Sequence, residues 1–348
     1  MTTLRAFAFL ILIAGLIAGC ESSTSPPARL LLSEGNDILV TGNKAIVLAN
    51  GSNSLYIVDL SNVAASDREL LVLNEGNFGK TNSTLDEVLF HKSGASFDSI
   101  IGLSVLPDST QRLLTTIPLG LDGPNKMALI GANLLLVTCR NTTSAVIVDL
   151  TKNAVVDSIS IGEPVVAVAV LNNKAYITSG TYNPPGHLNV VDLATNKIVQ
   201  RTWLRNTPEQ CVVDSAHNQI LIGTAGDYDT IPPVIYFVNS TTNAIADSLV
   251  VGDPTSDGEV TIGTKHFLIV AGNVYSLSAP THTLPNPLIN GSTTFYKGFY
   301  DATWDELYLA EYNFSSPTGK VDVFNGTTGT AKWSFTTGIA PGHFAFYH

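Results

Sequence analysis

The chain has 348 residues, a formal net charge of −11, 14% charged residues and 45% hydrophobic ones. The acidic balance disfavours nucleic acid and anionic lipid surfaces as partners, because both require a basic footprint. The low charge and high apolar content are typical of a protein with a large buried core. After the N-terminus, no apolar run reaches the ~18 residues of a membrane-spanning helix.

The first 19 residues are predicted to be a secretory signal. Arg5 is their single positive residue, and the apolar run 6–18 follows it. The run ends in LIAGC at Cys20, which resembles a bacterial lipobox. This resemblance implies cleavage before Cys20 and attachment of a diacylglycerol to its thiol. The alternative is an ordinary signal peptide followed by a chance cysteine.

The residues after Cys20 predict a tethered start to the mature chain. Glu21 stands where many inner-membrane lipoproteins of Gram-negative bacteria carry Asp, so the resemblance implies an outer-membrane address, on the periplasmic face or the cell surface. The stretch SSTSPP at 22–27 is polar and contains two prolines, as flexible tethers do. We predict a signal peptide at 1–19 and a lipidated cysteine with its tether at 20–36.

A repeated unit organises the rest of the chain. Residues 145–170, AVIVDLTKNAVVDSISIGEPVVAVAV, contain short runs rich in β-branched residues, separated by turn residues. The VDLTKN turn returns as VDLATN, VNSTTN and FNGTTG, which aligns Asp149, Asp192, Asn239 and Asn325. The intervals are 43, 47 and 86 residues, the last being two steps. A period in the forties with roughly four strands is typical of a β-propeller blade.

We therefore predict an all-β fold, a seven-bladed β-propeller of four-stranded blades that occupies residues 37–348 as one domain. Its units are expected to begin near Ile38, Glu69, Asn125, Pro164, Thr207, Glu259 and Tyr296. The C-terminal IAPGHFAFYH is left over as one inner strand, which we expect to complete the first unit and close the ring. Six or eight blades would follow if the irregular region 97–119 or 275–290 were misread.

Two cysteines remain beyond Cys20. An even pair, Cys139 and Cys211, invites a disulfide in an exported protein. The repeats place them two blades apart, however, and a bridge requires Cα atoms within about 7 Å. We expect both to be unpaired, buried and inert.

The repeats resemble those of a known group of bacterial proteins. VDLTKN…IGEPVVAVAV and VDLATNK…RNTPEQCVV are similar to the YVTN or YncE-like propeller repeat, and the likeness covers residues 36–348. LVLNEGNFGKTNSTL at 71–85 looks like the second blade of NEGN-containing outer-membrane propeller lipoproteins of Bacteroidetes-type bacteria. Some members of that group capture vitamin B12 beside a TonB-dependent transporter, so such a transporter is one implied partner. The motif does not identify the ligand.

The predicted binding site lies on one face. The loops leading into the inner strands share a face with those joining the second and third strands, and loops on a rigid scaffold carry function. The second group combines aromatic rings with polar groups, as ligand sites do. The predicted ligand-binding residues are Glu75, Asn77, Phe78, Arg140, Tyr182, Asp227, Tyr228, Glu311 and Tyr312. The alternative is that these residues only fix their own loops. The recurring Asp149 and Asp192 are expected to cap turns on the opposite face.

The sequence lacks the motifs of common catalytic, metal and cofactor sites. It has no GxSxG, Walker A or dinucleotide fingerprint, and its seven histidines show neither HExxH nor i, i+4 spacing. Asp227 and Asp229 flank Tyr228 without the other ligands of a calcium loop. We expect no catalytic residue, no metal site and no cofactor.

The sequence favours a monomeric, lipid-anchored propeller at the cell surface that binds a small molecule, a glycan or a partner protein through its loops, without catalysis. One alternative is a propeller enzyme, a lactonase- or phosphoesterase-like hydrolase. Another is a structural scaffold for protein contacts. The fold alone decides none of these.

Overall fold

The structure is a computed structural model of the full chain. It describes residues 31–32, 35–49, 52–61, 67–74, 83–93, 96–105, 113–180, 186–205, 207–227, 229–252, 258–262, 266–270, 272–277, 283–291, 295–311 and 318–347. The predicted signal peptide and Cys20 lie outside these residues. Among the described residues, no helix has the length and hydropathy needed to cross a membrane.

The described chain is built from β-strands, with one short 3₁₀ helix at Ser215–His217. In chain order the strands are β1 (Leu31–Leu32), β2 (Gly35–Thr41), β3 (Lys44–Ala49), β4 (Ser54–Asp59), β5 (Asp67–Asn74), β6 (Ser83–Ser93), β7 (Ser96–Val105), β8 (Leu113–Pro118), β9 (Pro124–Leu129), β10 (Leu134–Cys139), β11 (Ser144–Asp149), β12 (Ala154–Ser160), β13 (Val165–Leu171), β14 (Lys174–Ser179), β15 (His187–Asp192), β16 (Lys197–Trp203), β17 (Pro208–Asp214), β18 (Gln219–Thr224), β19 (Val234–Asn239), β20 (Ile245–Val250), β21 (Gly258–Ile262), β22 (His266–Val270), β23 (Asn273–Leu277), β24 (Phe295–Asp301), β25 (Glu306–Glu311), β26 (Gly319–Asn325), β27 (Ala331–Thr337) and β28 (Pro341–Tyr347).

The strands pair into antiparallel sheets. Within the described residues there are five four-stranded blades: β2-β3-β4-β8, β9 to β12, β13 to β16, β17 to β20 and β24 to β27. A five-stranded sheet contains β1, β5, β6, β7 and β28, and a three-stranded sheet contains β21, β22 and β23. The all-β class is correct. The prediction of a seven-bladed propeller of four-stranded blades is wrong, because the described residues form five such blades.

The three-stranded sheet departs from the repeat for a local reason. After β23, the described residues make only an isolated bridge, between Val274 and Ile289. Pro285 and Pro287 lie just before this bridge. Proline has no backbone N–H to donate to a strand ladder, so this stretch cannot continue the sheet as a regular fourth strand.

The C-terminal strand pairs at a different place from the one predicted. β28 pairs with β5, with Phe344 opposite Val72, and so belongs to the second unit rather than the first. The first unit supplies its own inner strand, because β2 already pairs with β3 along its length. Its fourth strand is β8, which pairs with β4 through Ile117 opposite Leu55. The second unit is therefore inserted within the first.

The inner strands surround one axis. β2 packs beside β9, and the series continues through β13, β17, β21, β24 and β28 back to β2. We call the side where these strands begin the loop face and the side where they end the turn face. Buried apolar clusters lie between neighbouring sheets, and Leu48 and Leu135, for example, share one of them. The core is thus divided among the spaces between sheets.

The repeated turns lie on the turn face. The side-chain oxygens of Asp149, Asp192 and Asn239 each accept hydrogen bonds from the backbone N–H groups two and three residues later, at 2.8–3.1 Å. Asn153 and Asn196 follow with φ of 51° and 54°, a left-handed conformation that asparagine tolerates. The prediction that Asp149 and Asp192 fix turns is confirmed.

A buried ionic cluster joins the five-stranded sheet to the last blade. The Arg68 side chain on β5 is 2% exposed, and its Nη2 lies 2.8 Å from Asp301 Oδ2 and 3.0 Å from Glu306 Oε2. The same nitrogen donates to the Tyr308 hydroxyl at 2.6 Å. We call these four residues the closing clasp, because they hold the sheet containing the C-terminal strand against its neighbour on the turn face.

Cys139 and Cys211 are both free, as predicted. Cys139 is buried, but Cys211 is only partly buried, so the prediction that both are buried is correct for Cys139 and wrong for Cys211. Burial raises the pKa of the Cys139 thiol to about 12 and also raises the pKa of Cys211. Both thiols are therefore protonated at neutral pH and weakly nucleophilic.

Candidate functional site

Three of the predicted ligand-binding residues are described, and all three lie on the loop face. Arg140 follows β10, Asp227 follows β18, and Glu311 ends β25. Each has its own set of partners rather than a shared one. The other predicted residues lie outside the described part of the chain: Glu75, Asn77, Phe78, Tyr182, Tyr228 and Tyr312.

Arg140 forms an ion pair across the rim of the loop face. Its Nη2 lies 3.1 Å from Glu209 Oε2, and the two side chains are 45% and 31% exposed. Glu209 is on β17, so the pair connects two blades that are separated by the blade β13 to β16. Because exposed ion pairs contribute little to stability, the Arg140–Glu209 pair is not expected to be important for the stability of the fold.

Asp227 and Glu311 have partners of their own. The Asp227 carboxylate accepts backbone hydrogen bonds from Asp229 and Ile231, at 3.0 and 2.6 Å. The pKa of Asp227 is lowered, chiefly by the hydrogen bond from the Ile231 N–H. The carboxylate therefore fixes the backbone of the residues that follow it. Glu311 accepts a 2.7 Å hydrogen bond from Lys320.

The loop face also has a polar group within the blade β13 to β16. Glu163 accepts a 3.0 Å hydrogen bond from the Ser179 hydroxyl and contacts His187 Nδ1 at 3.0 Å. Arg201 forms an ion pair with the same carboxylate. In the sequence, Ser179 and His187 lie on either side of Tyr182, one of the predicted residues.

A second set of polar residues lies at the centre of the ring. Asp37, Lys126, Lys297 and His343, which we call the channel cluster, come from the inner strands β2, β9, β24 and β28. Each stands two residues after the first residue of its strand, and the pairing register of each strand shifts at that place. Such bulges re-aim side chains and recur beside functional sites.

Direct contacts connect Asp37, Lys126 and His343, and Lys297 acts on Asp37 and His343 through its charge. Lys126 Nζ lies 3.4 Å from His343 Nδ1 and donates to the Asn36 carbonyl at 3.3 Å. His343 Nδ1 lies 3.8 Å from Asp37 Oδ1. The second oxygen, Asp37 Oδ2, accepts the Met127 N–H at 2.9 Å, across to the next blade. Since an ammonium group can only donate, the Lys126 contact requires a neutral His343 ring with a lone pair on Nδ1.

Burial and charge define the electrostatics of this cluster. Burial, followed by the charges of Lys126 and Lys297, holds the pKa of His343 well below its usual range. Burial also raises the pKa of Asp37, although both lysines and two backbone hydrogen bonds act against it. His343 is therefore neutral at neutral pH and sits in a positive potential.

Asparagine side chains fix the neighbouring inner strands at this level. Asn36 Nδ2 donates to the Pro124 carbonyl at 3.0 Å, and Asn125 Nδ2 donates to the Val166 carbonyl at 2.6 Å. Each bond runs from one inner strand to the next. The side chains of the channel cluster therefore project from a backbone that is held in place, and this pre-organisation favours binding.

No protein-family model matches the sequence, and no curated protein matches it. Among solved structures, the chain is similar to Kuenenia stuttgartiensis hydrazine synthase, with a TM-score of 0.63 and 12% identity over 94% of this chain and 92% of that one. It is also similar to the β-propeller domain of Myceliophteria thermophila Cps50 (Swd1), with a TM-score of 0.57 and 10% identity over 88% of this chain and 87% of that one. The fold is a β-propeller. Identities this low show the fold alone, so the YVTN, YncE-like and NEGN resemblances stay predictions.

Lys126, Lys297 and His343 lie at the ends of the loops that lead into the inner strands, but they are not among the predicted ligand-binding residues. The predicted ligand-binding residues are aromatic and polar residues of the longer loops. The channel cluster, in contrast, is formed by single polar residues near the start of the inner strands. A usable signal was present. A charged residue two places after a strand start is unusual in apolar inner strands, and it recurs in several units.

Proposed function

We propose that the chain is an exported, lipid-anchored β-propeller that binds a small molecule bearing an anionic group at the channel cluster, without catalysing a reaction. The single observation that carries this proposal is the meeting of Lys126, Lys297, His343 and Asp37 from four inner strands. The proposed binding site is thus formed by residues of the inner strands rather than by the loops that the sequence favoured.

The chemistry of the cluster matches an anionic group. Two ammonium groups supply charge and hydrogen bonds to a carboxylate or phosphate, and such charge-assisted hydrogen bonds are among the strongest in proteins. The Asp37 carboxylate offers an acceptor for a hydroxyl or N–H group of the same ligand. A few convergent polar groups at a concave centre are what fix a small ligand in its orientation.

The charge distribution supports the same assignment. The whole chain carries a formal charge of −11, yet two lysines converge at the ring centre. A local positive potential within an acidic molecule concentrates small anions at that point. The exposed Arg140–Glu209 pair and the Glu163 group provide further polar contacts for a ligand larger than its anionic group.

The proposed location rests on the N-terminal sequence. The apolar run before Cys20 and the polar, proline-containing tether after it favour an outer-membrane lipoprotein. We expect metabolic labelling with palmitate to mark the wild-type chain and to be lost in Cys20→Ala. Labelling that persists in the variant would contradict the anchor without affecting the binding proposal.

The binding proposal is tested by calorimetry on the full chain in detergent with phosphate, citrate and glucuronate as probes. At least one probe is expected to bind, and Lys126→Met is expected to weaken that binding at least about tenfold, the loss of one charge-assisted contact. Methionine keeps the apolar stem of the side chain. The matched control is Lys152→Met, in an exposed turn of the turn face, which should bind as the wild type does.

Three outcomes oppose the proposal. The anionic ligand class is wrong if none of the probes binds. The channel cluster is the wrong site if a probe binds equally to wild type, Lys126→Met and Lys297→Met. Chemical turnover of a bound probe would contradict the absence of catalysis.

A further inference from the structure

A group of potential metal ligands lies on the turn face, opposite the channel cluster. Asp214 ends β17, His217 ends the 3₁₀ helix Ser215–His217, and His266 begins β22 in the neighbouring three-stranded sheet. Asp214 Oδ2 lies 2.8 Å from His217 Nδ1 and 3.1 Å from His266 Nε2. The three ligand atoms all lie within 4.8 Å of one another.

The spacing of these atoms fits a small divalent ion after minor adjustment. Tetrahedral zinc, with Zn–N and Zn–O bonds of about 2.1 Å, places its ligand atoms roughly 3.4 Å apart. The separations of Asp214 Oδ2 from His217 Nδ1 and His266 Nε2 are 2.8 and 3.1 Å, shorter than this by about 0.6 and 0.3 Å. Side-chain rotations alone can open such a gap, without movement of the sheets.

The local fold holds two of the ligands in register. Asp214 is the N-cap of the 3₁₀ helix, and its Oδ1 accepts the His217 backbone N–H at 3.2 Å. The carboxylate and the imidazole are therefore kept on the same side of a single turn. Asn218 ends that turn with φ of 52°, so the chain leaves sharply into β18.

The three potential ligands differ in their exposure to solvent, so that one side of the group is buried and the other is open. The side chains of Asp214 and His266 are 4% and 6% exposed, whereas that of His217 is 45% exposed. A carboxylate buried this deeply requires compensation by hydrogen bonds or positive charge. The open side leaves room for water as a fourth ligand, as in zinc sites with three protein ligands.

We propose that Asp214, His217 and His266 form a binding site for a divalent transition-metal ion of the zinc class. The ion takes His217 Nδ1, His266 Nε2 and a carboxylate oxygen of Asp214. Two imidazoles with one carboxylate favour zinc over magnesium or calcium, which prefer oxygen ligands throughout. The site links the blade β17 to β20 with the three-stranded sheet, and it is independent of the anion proposed for the channel cluster.

The competing arrangement is a hydrogen-bonded group in which both imidazoles donate to Asp214. The test is calorimetry with zinc chloride on the untagged full chain in detergent, first stripped with a chelator. We expect one zinc ion per chain for the wild type. His217→Gln should weaken binding at least about tenfold, because glutamine keeps a donor for Asp214 but is a poor zinc ligand.

A matched control distinguishes this site from nonspecific histidine binding. His187→Gln removes a histidine that also contacts a carboxylate, Glu163, on the loop face, and it should bind zinc as the wild type does. Cobalt chloride should give visible d–d absorption with wild type and the control, and much weaker absorption with His217→Gln. Excess magnesium should not displace the bound ion.

The metal site is disproved if the wild type takes up no zinc. It is also disproved if His217→Gln binds zinc as tightly as the wild type, or if His187→Gln abolishes binding. Because His217 is exposed, its replacement is not expected to unfold the chain, and circular dichroism verifies this for each variant.

Discussion

The closing clasp and the channel cluster are both groups of charged side chains drawn from different sheets near the point where the ring closes. In the clasp, on the turn face, Arg68 is sealed by aromatic rings, with its Cζ 4.2 Å from the centroid of Phe346 and 5.3 Å from that of Trp304. In the cluster, Asp37 and His343 stay 18% and 15% exposed at the ring centre. Fully enclosed charges hold sheets together, whereas polar groups that keep a small exposed surface at the ring centre can be reached by a ligand.

The largest effect is expected when the clasp loses its cation. Arg68→Met removes the cation that pairs with buried Asp301, whereas Glu306 keeps its hydrogen bond from Lys332. This loss should lower the free energy of unfolding by about 3–5 kcal/mol. Urea denaturation followed by circular dichroism measures this change. A loss below about 1 kcal/mol would show that the clasp is not structural.

A smaller, pH-dependent effect is expected in the channel cluster. Because the pKa of His343 is lowered in the folded state, the unfolded chain takes up this proton first as the pH falls. Stability from this group is therefore present above the unfolded pKa, near 6.5, and is lost as the pH falls below it. The loss should reach about 1 kcal/mol by pH 5.5 and be absent in His343→Asn.

Denaturation of both proteins at pH 7.5, 6.5 and 5.5 isolates the His343 contribution as their difference. The charged neighbours of His343 in the cluster are Asp37, Lys126 and Lys297. Asp37 acts in the opposite direction, because a raised carboxyl pKa makes the folded state more stable as the pH falls. Parallel pH profiles for wild type and His343→Asn would contradict the neutral, buried histidine.

The smallest effect is expected at the rim. Arg140→Met removes one partner of the exposed Arg140–Glu209 pair and should change the free energy of unfolding by less than about 1 kcal/mol. Urea denaturation of Arg140→Met and Arg68→Met under the same conditions compares the contributions of an exposed and an enclosed arginine to stability. If the two variants lost similar amounts of unfolding free energy, enclosed and exposed arginines would contribute equally to stability, contrary to this expectation.

Much of the fold could be predicted because its signals are local. The turns at Asp149, Asp192 and Asn239 rest on hydrogen bonds to residues two and three places away, so their sequence alone reveals them. Alternating apolar runs between these turns likewise give the strands. The number of four-stranded blades was predicted wrongly, because the irregular region 275–290, which contains Pro285 and Pro287, was counted as part of a regular unit.

Pairing between distant segments could not be predicted from these local signals. The apolar C-terminal strand could pair with either of the two N-terminal units as far as its sequence shows. Pairing with the first unit is excluded only because β2 already pairs with β3 along its length. The same holds for the candidate sites. Arg68 and Asp301, like Asp214 and His266, meet only because neighbouring sheets pack against each other around the ring.

The all-β class and the repeated turns can be recognised from the amino-acid sequence, since each depends on residues close together in the chain. The place where the ring closes, and the charged side chains that meet at its centre, become visible only in the folded structure. Contacts between sheets depend on packing across the whole ring, and the spacing of residues along the chain does not encode that packing.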